Sequence, residues 1–154
     1  MNHKETPDVS IINYGINNLK SVYNSFKKVG VKNIQIIDTP IDVLKSKTLI
    51  IPGIGAYGDG MIGLKNRKLI QPIKEKAEIG TPILGICLGM QMLFSESSEF
   101  GINEGLDLIK GKVVPFNSPK TINKKNYKVP HMGWNEIKNP TNKKVDWKNT
   151  LLEN

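Results

Sequence analysis

The sequence predicts an α/β protein built on an open, mostly parallel sheet with helices on both faces. Three observations point there. Four short apolar runs, at 9–13, 33–38, 48–51 and 82–86, have the length and the Val/Ile/Leu content of buried strands. The stretches between them carry apolar residues at helical spacing. Three of the four runs end in a turn that contains glycine. Strands separated by helices imply right-handed crossovers and a sheet covered on both sides, with the turns that follow the strands gathered on its carboxyl edge.

Taken in order, residues 9–13 (VSIIN) read as a strand and 14–18 (YGINN) as the turn that hands over to a helix. In that helix Leu19, Val22, Phe26 and Val29 share one face while Lys20, Lys27 and Lys28 face water; Asn17 or Asn18 caps its start and Gly30 stops it. The turn is either a plain strand-to-helix connection or part of a binding surface at the sheet's edge. A second strand is expected at 33–38 and a short helical or irregular link at 40–44. The third strand, 48–51 (TLII), runs into 52–60 (PGIGAYGDG), where four glycines in eight positions call for unusual backbone angles or a close approach. Residues 61–79 read as one amphipathic helix or two, with Pro72 breaking the pattern or starting the second. After the fourth strand an apolar helix is expected at 88–95, then a polar turn holding Glu96 and Glu99, and a loop at 101–105. Further strands are expected at 111–116 and 127–130, the latter ending in His131, Met132, Gly133, Trp134 and Asn135.

The residues with chemistry centre on the chain's single cysteine. Cys87 stands between Gly85 and Gly89 where the fourth strand bends into a helix. Such a turn brings strand and helix so close that side chains two residues either side of a nucleophile would collide. The unpaired N–H groups of a first helical turn favour negative charge, hence the thiolate, and the N–H of Leu88 is expected to face the oxyanion formed when the sulfur attacks a carbonyl. The glycine-rich stretch after the third strand is either a flexible loop or the source of a second oxyanion donor near Gly53 or Ile54; it lacks the Lys-Ser/Thr ending of a phosphate-binding loop. A lone cysteine in an apolar run is often only a small buried hydrophobe. The flanking glycines, with a strand before and a helix after, favour the nucleophile.

Composition narrows the classes. At 154 residues and 38% hydrophobic, the chain suits a single domain, 1–154. No run approaches the length of a membrane span, the first residues are polar, and a cytoplasmic protein without membrane contact is expected. One cysteine and two histidines argue against a disulfide or a structural zinc site, and no metal or cofactor is expected. The net charge of +8 comes from scattered lysines with Arg67 as the sole arginine, a pattern of a solvated surface and not of a nucleic-acid-binding ribbon.

Together Pro52-Gly53-Ile54-Gly55, Gly85-Ile86-Cys87-Leu88-Gly89-Met90-Gln91 and Pro130-His131-Met132-Gly133-Trp134-Asn135 resemble class I glutamine amidotransferases. More narrowly, they resemble the glutaminase subunits of imidazole glycerol phosphate synthase, over roughly residues 9–137. The resemblance implies the flavodoxin-like fold of that family. It also implies hydrolysis of glutamine through a Cys87 thioester, with ammonia passed to a (β/α)8-barrel cyclase subunit. On the same ground Gly53, Ile54, Gly55 and Leu88 would hold the oxyanion, and Gln91 and Glu99 the substrate. Asn18, His131, Met132, Trp134 and Asn135 would face the cyclase. Glu99 reads equally as part of a solvated helix end, and Trp134 as a core aromatic.

Two departures stand out. Asn17-Asn18 replaces the family's usual Gly-Asn, a change that asparagine's tolerance of left-handed angles accommodates. The family's His-Pro-Glu sequence, whose histidine protonates the departing ammonia, is not among these 154 residues, and neither His3 nor His131 matches it. The expectation is therefore a domain incomplete at its C-terminus, nearly inactive alone, with one sheet face and edge left uncovered. A docking paralogue of the cyclase partner, or an amidotransferase subunit of a surface-sugar pathway, are the alternatives.

Overall fold

The computed structural model describes residues 7–16, 18–116, 133–138 and 146–148. It comprises two units, Met1–Pro115 and Phe116–Asn154. In the first, strands β1 (Val9–Ile12), β2 (Ile34–Ile37), β3 (Leu49–Gly53) and β4 (Ile83–Cys87) form one sheet in the order β2-β1-β3-β4. Every pairing in it is parallel. The helices are α1 (Leu19–Lys28), α2 (Pro40–Lys45), α3 (Tyr57–Asn66), α4 (Ile70–Glu78) and α5 (Leu88–Met92). The strand order turns back between β1 and β3, and in open α/β sheets that crevice is where ligands bind.

Alternation along β1 and β3 divides the core in two. Ile12 and Ile51 point into a layer with Tyr14, Tyr57, Leu64, Leu69, Ile73, Leu88 and Met92. Ile11 and Ile50 point the other way, towards Leu19, Val22 and Phe26 of α1 and Leu84 and Ile86 of β4. The second layer is thin. No residue of α1 is fully buried, and an apolar groove of about 390 Å³ runs between Val22, Phe26 and Val29 of α1 and Ile86. β4, like β2, is an outer strand of the sheet among the described residues, and Ile83–Ile86 are only half-buried.

The local expectations hold for β1, α1 and β2 to within a residue at each end. The Asn18 side chain accepts the Ser21 N–H and caps α1, and the chain leaves that helix through Gly30 at φ 93. The link at 40–44 is helical: Thr39 caps α2, with Pro40 in its first turn. Residues 61–79 form parts of two helices, and Pro72 sits in the first turn of α4, where it costs no helical hydrogen bond.

Three expectations are corrected. First, α3 begins at Tyr57, so half of the glycine-rich stretch is helix. Its glycines serve packing: a Cβ at Gly60 would lie 2.6 Å from Met92 Sδ, and one at Gly63 would overlap the Tyr14 carbonyl. Second, α5 ends at Met92, not Ser95. The carbonyl of Met92 accepts instead from Leu106 N–H, and that of Leu93 from Leu108 and Ile109 N–H, so the returning chain takes the acceptors a longer helix would use. Third, the polar turn and loop after α5 form a second sheet. β5 (Phe94–Ser97) lies between β6 (Asn103–Glu104) and β7 (Ile109–Val113), antiparallel to the first and parallel to the second. Glu96 is a strand residue, and the strand expected at 111–116 starts two residues earlier and stops at Val113. The strand expected at 127–130 lies outside the described residues. In the second unit, residues 133–138 carry no regular element.

Tyr57 is fully buried, and its hydroxyl has no hydrogen-bond partner among the described residues. Replacing a buried unpaired hydroxyl with hydrogen removes a desolvation cost, so Tyr57→Phe is expected to be neutral or to stabilise by up to about 1 kcal/mol. Urea-unfolding midpoints of the two proteins check this, and a clear loss of stability would contradict it.

Candidate active site at the strand-to-helix elbow

Cys87 is the last residue of β4 and the N-cap of α5, with φ 55 and ψ −115. A residue with a Cβ adopts these angles only at a cost of about 1–3 kcal/mol, sustained by the packing around it. The packing is visible on both sides. A Cβ at Gly85 would lie 2.5 Å from Met90 Cα, and one at Gly89 would overlap the Ile51 carbonyl. The helix thus leaves the strand in contact with both β3 and β4, and the thiol stands exposed on the outside of the turn. As α5 has only five residues, the dipole behind the sulfur is that of little more than one turn, weaker than a helix over 88–95 would supply.

The glycine-rich loop lies beside the sulfur. Gly53 is in register with Cys87 at the carboxyl ends of β3 and β4, and a Cβ on it would stand 2.8 Å from Leu88 Cβ and 3.0 Å from Gly89 N. Exposed Ile54 and Gly55 follow, Gly55 at φ 90 with the Ile16 side chain against it. The turns after β1, β3 and β4 therefore meet at one edge.

Sequence reasoning read Tyr14 only as a turn residue. In the structure it is buried between β1 and the loop, and its hydroxyl donates to the Pro52 carbonyl at 2.6 Å. The Tyr14 carbonyl accepts from Arg67 Nη1 at 2.9 Å, which ties the same residue to the end of α3. Burial, reinforced by the neighbouring Cys87 sulfur, pushes the Tyr14 phenol well above the ordinary tyrosine range. Burial and Glu96 push the Tyr57 phenol in the same direction. The sequence signal was a tyrosine at the end of an otherwise apolar strand, where a hydroxyl needs a partner.

The remaining candidates are dispersed. Glu99 Oε2 accepts the Tyr57 N–H at 2.6 Å, so Glu99 caps α3, whose N-cap residue Ala56 has no side chain able to do so. Gln91 stands half-buried on α5. Asn18 is exposed and engaged in capping α1. His131 and Met132 lie outside the described residues. Trp134 and Asn135, in the second unit, are exposed, Trp134 to 103%, and the core-aromatic alternative does not describe it. Among the described residues no group of three His, Cys, Asp or Glu side chains is placed to hold a metal, and no helix is long and apolar enough to cross a membrane.

An exposed cysteine on a strained elbow, beside a glycine-rich loop and at the carboxyl edge of a parallel sheet, is an arrangement for nucleophilic attack on a carbonyl. The family model of class-I glutamine amidotransferases matches residues 10–149. The chain belongs to the class-I glutamine amidotransferases. Its relatives within that family include imidazole glycerol phosphate synthase subunits. The HisH 1 subunit of Legionella pneumophila strain Paris is 45% identical over 146 residues, covering 95% of this chain and 67% of that protein. The HisH subunit of Sulfurimonas denitrificans is 50% identical over 129 residues, covering 84% of this chain and 61% of that protein. This amidotransferase chain thus spans about two thirds of the length of the relatives it matches. A crystal structure of a glutamine amidotransferase superposes with a TM-score of 0.60 at 17% identity, over 70% of this chain and 56% of the other, and shows the shared fold.

Two outcomes follow for this amidotransferase. At Cys87 a glycine relieves the backbone and an alanine does not, so Cys87→Gly is expected to be more stable than Cys87→Ala by about 1 kcal/mol, the reverse of their order in ordinary backbone. Thermal melts of the two variants measure the difference. The buried phenols give a pH dependence. The folded chain keeps their protons where the unfolded chain, with tyrosines near pH 10, has released them, so stability is intact below about pH 10 and falls as pH rises beyond it. Urea midpoints taken across that range are expected to fall less steeply in Tyr14→Phe than in the parent.

Proposed function

We propose that the chain is the glutaminase subunit of an imidazole glycerol phosphate synthase, in which Cys87 attacks the carboxamide carbon of glutamine. The observation that carries this reading is the exposed sulfur on its left-handed elbow, in register with Gly53. Attack forms a tetrahedral oxyanion, which backbone N–H groups of Gly53, Ile54, Gly55 and Leu88 stabilise by charge-assisted hydrogen bonds. Collapse breaks the C–N bond, releases ammonia and leaves a γ-glutamyl thioester on Cys87. Water then hydrolyses the thioester to glutamate and returns the thiol. Gln91, on the same short helix as the nucleophile's turn, grips the substrate. Glu99, at the start of α3, has one carboxylate oxygen on Tyr57 N–H and the other for the substrate's ammonium group. Protonation of the departing ammonia requires an acid, which the family supplies from a His-Pro-Glu sequence not found in these 154 residues.

The ammonia is used by a (β/α)8-barrel cyclase subunit, docked against Asn18 and the segment holding His131, Met132, Trp134 and Asn135. The exposure of Trp134 and Asn135 supports that docking, as large aromatics at a surface favour interfaces. A step of histidine biosynthesis belongs in the cytoplasm. The strained elbow favours a catalyst over a docking module, which would have no use for an exposed thiol on a costly backbone.

Labelling with a glutamine-like chloroketone tests the reading. Stoichiometric modification of Cys87, competed by glutamine and lost in Cys87→Ser, is expected. No modification of the parent, with the cyclase present, would remove the glutaminase assignment.

A further inference from the structure

Tyr14 has a hydroxyl that packing alone does not require. Its ring belongs to the core cluster that also holds Ile12, Leu64 and Leu88, where phenylalanine would fill the same volume. Taking a hydroxyl out of water is unfavourable unless a partner is found, and the partner is the Pro52 carbonyl at 2.6 Å, the residue before the oxyanion loop. The fit is close. Any Cβ at Gly53 would overlap the Tyr14 oxygen, so a glycine there is the condition for the hydroxyl to reach. The other end of Tyr14 is equally fixed, with its carbonyl held by Arg67 Nη1 and resting on Gly63.

We infer that Tyr14 is a positioning residue, whose hydroxyl holds the Pro52–Gly53 peptide and thereby sets the loop that presents N–H groups to the oxyanion on Cys87. The peptide is planar and trans, so the Pro52 C=O and the Gly53 N–H point in opposite directions and anchoring one orients the other. Rotation of this unit would change the path of Gly53, Ile54 and Gly55 past the sulfur. Tyr14 does not touch the substrate; it acts through the backbone. Its hydroxyl stays protonated, and so a donor, through the whole range in which enzymes of this kind work. This role rests on the glutaminase reading above.

The test compares two reactions of Cys87 in the full chain. Iodoacetamide alkylates the sulfur by displacement at a saturated carbon, with iodide leaving and no oxyanion formed. L-Glutamate γ-semialdehyde adds the thiol across its C=O: a C–S bond forms, the carbonyl becomes the hemithioacetal oxygen, and the thiol proton ends on that oxygen or in water. Tyr14→Phe is expected to leave the alkylation rate at the parent value while weakening semialdehyde binding about tenfold, a part of what loss of an oxyanion donor itself costs. Ser46→Ala, which breaks the buried Ser46–Ser10 hydrogen bond near the amino end of β1, away from the sheet's carboxyl edge, is the stability control and is expected to change neither. Equal binding by parent and Tyr14→Phe would overturn the role of Tyr14 alone. So would an equal fall in both reactions, which marks general loosening of the fold. A parent that neither alkylates nor binds the aldehyde would overturn the glutaminase reading, and the positioning role with it.

Discussion

The closeness with which α5 leaves β4 is the constraint on which the rest of the site depends. At Gly89 the helix backbone presses on the Ile51 carbonyl, at Gly85 the strand presses on Met90, and at Gly53 the neighbouring strand meets Leu88 and Gly89. With no room for side chains at these three positions, the chain reverses direction within one residue. That residue is Cys87, forced to φ 55. The backbone energy stored there is outweighed by the combined burial of Leu88 and Met92 in the layer beneath, each worth about 1.5–3 kcal/mol. The core therefore keeps the sulfur outside at an angle that an isolated chain would not choose.

Around this turn the protein assembles a site from segments distant in sequence. The carboxyl ends of β1, β3 and β4 are neighbours because the strand order turns back between β1 and β3. Tyr14 ties the first end to the second through Pro52, and Arg67 ties Tyr14 to the end of α3. The second sheet takes part as well. The chain passing from β6 into β7 claims the Met92 and Leu93 carbonyls where α5 ends after five residues, and the turn after β5 brings Glu99 to the start of α3. The start of α3 follows directly on the glycine-rich loop after β3. A capped helix start holds one end of that loop, and Tyr14 holds the other.

The membership of the chain in the class-I glutamine amidotransferases agrees with this economy of parts. Relatives at 45% and 50% identity are named as imidazole glycerol phosphate synthase subunits, and the fold is shared with a structure at 17% identity. Such a spread is expected when a few backbone positions are fixed by close approach and most side chains are fixed only by being apolar. The outer strand β4 is only half-buried, against a thin layer from α1.

By itself the sequence determined the parallel sheet, the order of its strands and helices along the chain, and the strand-to-helix turn that holds Cys87. These are local properties: continuous apolar runs such as 49–51, helical spacing in α1, and glycines two residues either side of a cysteine. It did not determine where α5 would stop, that Phe94–Ser97 would be a strand, that Tyr57–Gly60 would be helical, or that Glu99 would cap α3. Each of these depends on a partner far along the chain: the N–H groups of residues 106, 108 and 109 for α5 and the second sheet, Met92 for Gly60, and Tyr57 for Glu99. Tyr14 belongs with them, since its hydroxyl acquires a purpose only when folding brings Pro52 to it across 38 residues. Tertiary structure decided these because a short apolar stretch or a single polar side chain is satisfied in more than one way, and the contact that is available in space selects among them.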